Sequence, residues 1–385
     1  MKKILVILGT RPEAIKLSPV ILELGRSGGF QVRTCATGQH RQMLDQVLEV
    51  FGIAPDHDLD IMRSDQSPAE AASRILAALD PVLECEQPDM ILVQGDTTTT
   101  LCGALAAFYR QIPVGHVEAG LRTGDLRQPF PEEMNRVVTG RLAALHFAAT
   151  EGAAQNLRRE GVDAAAIHVT GNTGIDAVLY VKAGLETGAL ASRGLPAIDP
   201  AAKLIVATTH RRESFGDGLE RICRALAALA SRQDVRIVLP VHPNPNVRGP
   251  VERWLGASPR VLLVAPMDYV SFVDLMRRAH LIVTDSGGIQ EEAPSLGKPV
   301  LVLREKTERP EAVRAGTVKL VGTDFDRIVG EATLLLDSAD EYRRMAAIHN
   351  PYGDGQASPR IARAMAKFLE SREEIWPRMN TDEHG

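Results

Sequence analysis

"MILVQGDTTTTLCGALAAFYRQIPVGHVE", residues 90–118, sets two apolar runs around a stretch of helical composition. Neither run alternates apolar with polar residues. Strands of that kind are covered on both faces, which means a parallel sheet flanked by helices. The pattern recurs along the chain. Strand candidates lie at 3–8, 32–37, 90–95, 112–118, 145–150 and 166–171, then at 203–209, 235–241, 260–266, 280–285, 299–303 and 317–322. Segments such as 68–86 and 218–231 carry apolar residues at helical spacing between them. These are more strands than a single β/α barrel holds. The expectation is α/β, with two doubly wound domains. The first covers 1–170 and is rejoined by a final helix within 356–375; the second covers 171–355; residues 376–385 are expected to form a flexible tail.

The chain of 385 residues is long enough for two cores, and its net charge of -5 argues against a nucleic-acid binder. A small anionic ligand needs only a local positive pocket. Cys35, Cys85, Cys102 and Cys223 are scattered, with no CxxC pair, so reduced thiols and a cytoplasmic location are expected. The opening MKKILVILGTRPE mimics a signal peptide, but its apolar run is short and ends in Arg11 and Glu13. No stretch approaches the roughly 20 apolar residues that span a bilayer. GxGxxG, GxxxxGK[ST] and HExxH are all missing, so no nicotinamide, flavin, P-loop or metal site is indicated.

In doubly wound sheets, ligands sit outside the carboxyl ends of the strands. There the chain turns polar and specific. In GTRPEAIKLSP (9–19), Thr10 and Glu13 form a capping box and Pro12 suits the first helical turn. That leaves Arg11 and Lys16 to be explained, with a Lys16–Glu13 pair as the plainer use of Lys16. Asp96 or a following threonine caps the next helix, or Asp96 faces the crevice. Glu118 ends an apolar strand, at a low-dielectric edge that can raise a carboxyl pKa. Glu132 and Glu133 occupy a helix first turn, with Arg136 four residues after Glu132. Asp96, Glu118 and Glu132 share one sheet edge, which points to acid/base work.

The other half reads as an anion grip. His210, Arg211 and Arg212 follow a strand and suit a phosphate or diphosphate. His242 follows the next strand between prolines. In TDSGGIQEEAPSLGKP (284–299), Ser286 suits a cap and Gly287 and Gly288 admit close approach to backbone N–H groups. Glu291 is expected in solvent, Glu292 toward the ligand, and Pro294 should cut the helix short. Arg309 precedes a helix start at the same edge.

Together GTRPEAIK, GDTTTT, GHVEAGLRTGD, PEEMNR, GNTGID, HRRESFG, PVHPNPNVR, DSGGIQEEAPSLGKPVLVLREKTERPEAV and NPYGDGQAS resemble the non-hydrolysing UDP-N-acetylglucosamine 2-epimerases, over about residues 4–370. The resemblance implies two Rossmann-like domains in a GT-B arrangement, with the active site in the cleft between them. It implies interconversion of UDP-N-acetylglucosamine and UDP-N-acetylmannosamine by elimination of UDP to 2-acetamidoglucal and re-addition, without a cofactor. It further implies a homodimer and supply of ManNAc-type precursors for cell-surface polysaccharide. Asp96, Glu118, Glu132 and His210 match catalytic positions. Arg11, Lys16, Phe272, Ser286, Gly287, Gly288, Glu292 and Arg309 match positions that bind the UDP-sugar. Gln39, Gln42, Arg211 and His242 match a second substrate site through which several bacterial members are activated. Met267 stands where some relatives have a Gln that contacts the base. The alternative reading is a GT-B glycosyltransferase using a UDP-sugar donor; a hydrolysing epimerase and a non-catalytic UDP-sugar-binding regulator stand beside it.

Overall fold

A computed structural model describes residues 1–38, 41–61, 63 and 66–375. The fold is α/β. By internal contacts the chain forms two compact units, Met1–Ala177 with the chain from Gly353 onward, and Val178–Tyr352. The chain leaves the first unit inside the helix Thr173–Thr187, between Ala177 and Val178, against an expected boundary at 170. No turn marks the crossing, because Ile175, Ala177, Val178 and Val181 keep one apolar stripe buried along the helix.

The first unit carries a parallel sheet of β1 (Lys2–Leu8), β2 (Phe30–Ala36), β3 (His57–Asp58), β4 (Met90–Gln94), β5 (Val114–Ala119), β6 (Leu145–Ala148) and β7 (Ile167–Val169). Their order is β3-β2-β1-β4-β5-β6-β7. The second unit has β8 (Lys203–Thr208), β9 (Val235–Pro240), β10 (Val261–Val264), β11 (Leu281–Thr284), β12 (Val300–Val302) and β13 (Val318–Leu320), in the order β10-β9-β8-β11-β12-β13. Every expected strand is found. The one not expected, β3, is two residues long and too short to show a pattern. The unalternated runs are buried as such runs must be: Ile4 to Leu8 and Met90 to Val93 are almost wholly inaccessible.

Strand order reverses between β1 and β4 in one sheet, and between β8 and β11 in the other. These switch points open a crevice, because successive helices leave on opposite faces. Thus the sequence stretches after β1, β4, β5, β8 and β11 are the ones positioned to hold a ligand.

The last helix, Ala357–Ile375, returns to the first unit. Ile361, Met365 and Leu369 form its buried stripe, and it packs on the helix Arg11–Arg26. Its free N–H groups are met from another element. Asp176 Oδ1 accepts from Ser358 N at 2.8 Å, and Oδ2 from Ala357 N at 3.2 Å. Burial pushes the Asp176 carboxyl up, while these bonds pull it back. Asp176→Ala should cost about 1–2 kcal/mol in urea unfolding, the usual loss when a helix start is uncapped. Asp176→Asn keeps an acceptor and should cost less than half of that.

Candidate active site

At the switch point of the first sheet, β1 runs through Gly9 and Thr10 into the helix Arg11–Arg26. Gly9 is required by space. A Cβ there would lie 2.3 Å from Thr37 Oγ1 and 2.4 Å from Thr99 Oγ1. Thr10 and Glu13 make the expected capping box. Glu13 is also buried, and Thr97 Oγ1 (2.8 Å) and Thr100 Oγ1 (3.2 Å) donate to it. Burial pushes its carboxyl up and these hydroxyls and amides pull it back. Glu13 therefore ties the end of β1 to the turn after β4, and the plainer Lys16–Glu13 pair does not form. Lys16 Nζ lies instead 2.7 and 2.6 Å from the two oxygens of Glu118.

Glu118 is held in an unusual way. Its φ is +63°, in the left-handed region that side chains other than glycine rarely adopt. The register of β5 against β6 slips between Val117 and Ala119 at the same place. The bulge re-aims the side chain at the strand end, as bulges near functional sites do. Gln94, buried on β4, donates its amide to the same carboxylate.

Thr97, not Asp96, caps the helix Thr98–Tyr109. Asp96 is left for other use. Arg136 contacts its carboxylate at 2.5 Å, and Asn135 Nδ2 donates to its carbonyl at 2.9 Å. Burial pushes the Asp96 carboxyl above its ordinary value. The Arg136 and Lys16 charges oppose this, and the Glu118 and Glu132 charges add to it. All five groups thus lie within reach of one another's fields. Glu132 sits partly exposed in the first turn of the helix Glu132–Leu142. The expected Glu132–Arg136 pair is replaced: Arg136 turns to Asp96 and, at 3.4 Å, to Glu133. Glu133 is buried and accepts from the N–H groups of Thr123 and Gly124, which anchors the exposed loop 123–130. Behind Asp96, buried His116 places Nε2 2.7 Å from Gly95 O, and burial pushes its pKa down to about 3. A neutral ring donating from Nε2 holds that carbonyl in place.

The second unit gathers the other predicted residues. His210 and Arg211 follow β8 and meet Asp285, which follows β11. Asp285 Oδ2 accepts from the N–H groups of His210 (2.7 Å) and Arg211 (2.8 Å). Glu213, in the same loop, pairs at 2.6 Å with Arg304, which also holds Glu308. The His242 ring stacks on His210 with centroids 5.9 Å apart, and its Nδ1 accepts from Asn244 N.

Ser286 stands at the cap position but makes no side-chain cap bond; its N–H donates to Thr284 Oγ1. The helix Gly287–Glu292 passes at Pro294 into a tighter turn, Ala293–Leu296, as expected. Glu291 is not in solvent. It is buried and pairs at 2.9 Å with Arg309, whose guanidinium lies over Gly287. A Cβ on Gly287 would come within 2.8 Å of that group. Glu292 and Phe272 are partly exposed, Phe272 on the helix Tyr269–Arg278. Gln39 lies outside the described residues. Gln42 lies in the helix Arg41–Val50, and its side chain is outside them.

A family model described as UDP-N-acetylglucosamine 2-epimerase matches residues 22–366. The chain belongs to this family. It is 57% identical over 368 residues to the UDP-N-acetylglucosamine 2-epimerase of Escherichia coli O157:H7, covering 94% of this chain and 98% of that protein. It is 49% identical to the enzyme of that name from Bacillus subtilis, covering 97% of each. The crystal structure of the Neisseria meningitidis enzyme bound to UDP-GlcNAc superposes with a TM-score of 0.87, at 48% identity over 95% of this chain and 100% of that one. A glycotransferase of kitacinnamycin matches at 15% identity and a TM-score of 0.64, which shows the fold alone.

Within this member of the epimerase family, sequence reasoning passed over Gln94, His116 and Asp285. Each stands within a residue or two of a strand end already under suspicion, so the strand-end rule itself could have nominated Gln94 and Asp285. Their partners lie far off in sequence and left no local signal. For the Lys16–Glu118 pair, a double-mutant cycle of Lys16→Met with Glu118→Gln should give about 1–3 kcal/mol of coupling in unfolding free energy. Additive single variants would count against the pair.

Proposed function

We infer that this isomerase interconverts UDP-N-acetylglucosamine and UDP-N-acetylmannosamine by eliminating UDP and adding it back. The observation that carries this reading is the cluster of Asp96, Glu118 and Glu132 with Lys16 and Arg136 at the ends of β4 and β5. The hydrogen at carbon 2 of the sugar has no neighbouring carbonyl, so direct deprotonation is hard. When the bond from carbon 1 to the β-phosphate oxygen breaks, its electron pair stays on that oxygen. The carbon 2 hydrogen leaves as a proton to a carboxylate, and a double bond forms between carbons 1 and 2. The products are 2-acetamidoglucal and UDP. Return of a proton to the opposite face, with re-addition of UDP, gives the epimer.

Such a path needs proton carriers and anions near an oxocarbenium-like sugar, and cations on the leaving diphosphate. Asp96, with its carboxyl raised by burial, suits the exchange of a proton. Glu118, whose oxygens accept from Lys16 and Gln94, suits cation stabilisation, and Glu132 completes the set. His210, Arg11, Arg309, Ser286 and the N–H groups of Gly287 and Gly288 would hold the diphosphate. Glu292 would take the ribose hydroxyls and Phe272 the uracil. In this reading the enzyme works as a cytoplasmic homodimer and supplies ManNAc-type precursors. Arg211 and His242 stay assigned, with Gln39 and Gln42, to a second, activating substrate molecule.

Incubation with UDP-N-acetylglucosamine alone in D2O should give the manno epimer, with deuterium at carbon 2 of both recovered sugar nucleotides by mass spectrometry. Epimerisation without deuterium would overturn the elimination path. No manno isomer at all would favour a transferase, and free N-acetylmannosamine a hydrolysing enzyme. Asp96→Asn and Glu118→Gln should lower kcat about 10²–10⁴-fold, the range for lost acid/base groups, while UDP affinity by calorimetry changes far less. On the nucleotide side, Glu292→Gln should weaken UDP binding about 10-fold with kcat nearly kept. Arg309→Lys tests the grip better than Arg309→Ala, which would remove the cation from buried Glu291.

A further inference from the structure

At the second switch point β8 and β11 lie side by side, with Thr208 opposite Thr284 and their hydroxyls 2.6 Å apart. Asp285 comes one residue later and is completely inaccessible. A carboxylate so buried requires partners. Among the described residues its side-chain partners come from the single segment Thr209–Arg211. Oδ2 takes the N–H groups of His210 and Arg211 and, at 3.3 Å, the Thr209 hydroxyl. Oδ1 is buried without a well-aligned hydrogen bond, and its ion-pair contact is His210 Nδ1, 2.9 Å away. One carboxylate thus fixes both the backbone and the ring of His210. Bonds of this kind in catalytic sites are often imperfect before substrate arrives.

The ring chemistry follows. An ionised carboxylate only accepts, so the imidazole nitrogen beside it carries a hydrogen. That is Nδ1, and Nε2 points away from Asp285. His242 does not compete for either nitrogen, because its ring lies nearly face to face with His210, at 18° between planes. Although burial pushes the Asp285 carboxyl up, the bonds from His210 and the two amides outweigh this and hold it below its ordinary range. The carboxylate therefore stays charged beside the ring.

We propose that Asp285 is a positioning residue for His210: it fixes Nδ1–H toward itself, so that Nε2–H of the protonated ring faces the diphosphate. As the bond from carbon 1 to the β-phosphate oxygen breaks, Nε2 passes its proton to that oxygen and the ring is left neutral with Nδ1–H. Re-addition returns the proton to Nε2. The carbon 2 proton travels separately, to and from a carboxylate of the first unit. This inference rests on the epimerase reading.

The test is Asp285→Asn together with 15N spectra of the histidine rings. Asn keeps an oxygen for the two amides but turns an N–H toward Nδ1, which forces the ring hydrogen onto Nε2. In the serine-protease triad the same exchange costs about 10⁴ in kcat with the geometry intact. Here kcat should fall about 10²–10⁴-fold while KM and UDP affinity stay within about 3-fold. The neutral His210 ring should carry its hydrogen on Nδ1 in the native enzyme and on Nε2 in the variant. An equal loss of kcat and UDP affinity would mean that Asp285 only staples the loop, and would overturn the proposal. So would an unchanged kcat. The native spectrum needs no variant: a neutral His210 with its hydrogen on Nε2 overturns the proposal even if Asp285→Asn fails to fold. A native enzyme that does not convert UDP-N-acetylglucosamine overturns the epimerase reading, and the proton-transfer step with it. An active native enzyme indifferent to Asp285→Asn overturns this inference alone.

Discussion

Burying a carboxylate is costly unless donors converge on it, and several such convergences organise this fold. Glu13 joins the end of β1 to the turn after β4. Asp176 receives the start of the last helix. Asp285 gathers the loop after β8, and Glu291 holds Arg309 over Gly287. The first three lie at or near the carboxyl end of a strand or at a helix start, where backbone N–H groups are left over, whereas Glu291 lies at the end of a short helix and takes a guanidinium. The parallel sheets create those loose ends, and the buried acids tie them together. Loops that would otherwise wander are thereby held to fixed positions.

The three carboxylates assigned to chemistry are arranged differently. Asp96, Glu118 and Glu132 are partly exposed rather than sealed. Two of them face long cations, Arg136 and Lys16, instead of backbone amides. A carboxylate surrounded by amides has its proton affinity settled by the fold. One set against flexible cations and other carboxylates can change its charge as a ligand enters. The left-handed backbone of Glu118 belongs to the same contrast. Strain of this kind persists only where surrounding structure compels it, and here Gln94 and Lys16 grip the side chain from two elements.

Most of the architecture was legible in the chain, because burial on both faces leaves uninterrupted apolar runs. The capping box at Thr10–Glu13 and the helix break at Pro294 were equally readable, since both are governed by local geometry. The pairings were not. Lys16 and Glu118 are separated by 102 positions, and His210 and Asp285 by 75. Where two partners stood close in sequence, as Glu132 and Arg136 do, the local pair was expected, yet Arg136 bridges to Asp96. An exposed i,i+4 pair is worth only a few tenths of a kcal/mol, whereas a half-buried aspartate lacking its cation would cost far more.

The stretch TDSGGIQEE now explains its own charges. Three acids in eight residues, Asp285, Glu291 and Glu292, look hostile to an anion. Two of them point inward and are neutralised by the donors they organise. Asp285 is covered by amides and the His210 ring, and Glu291 engages Nε of Arg309 while the rest of that guanidinium lies over the glycine turn. A carboxylate placed behind a cation does not cancel it toward the outside. It limits the cation's freedom: Glu291 fixes Nε of Arg309, and Glu308 meets Nη1 of the same group at 3.4 Å. Donors fixed in advance need no reorganisation when charge develops on a leaving phosphate. In the proposed reading, the inward acids are what allow this stretch to meet a diphosphate despite its negative charges.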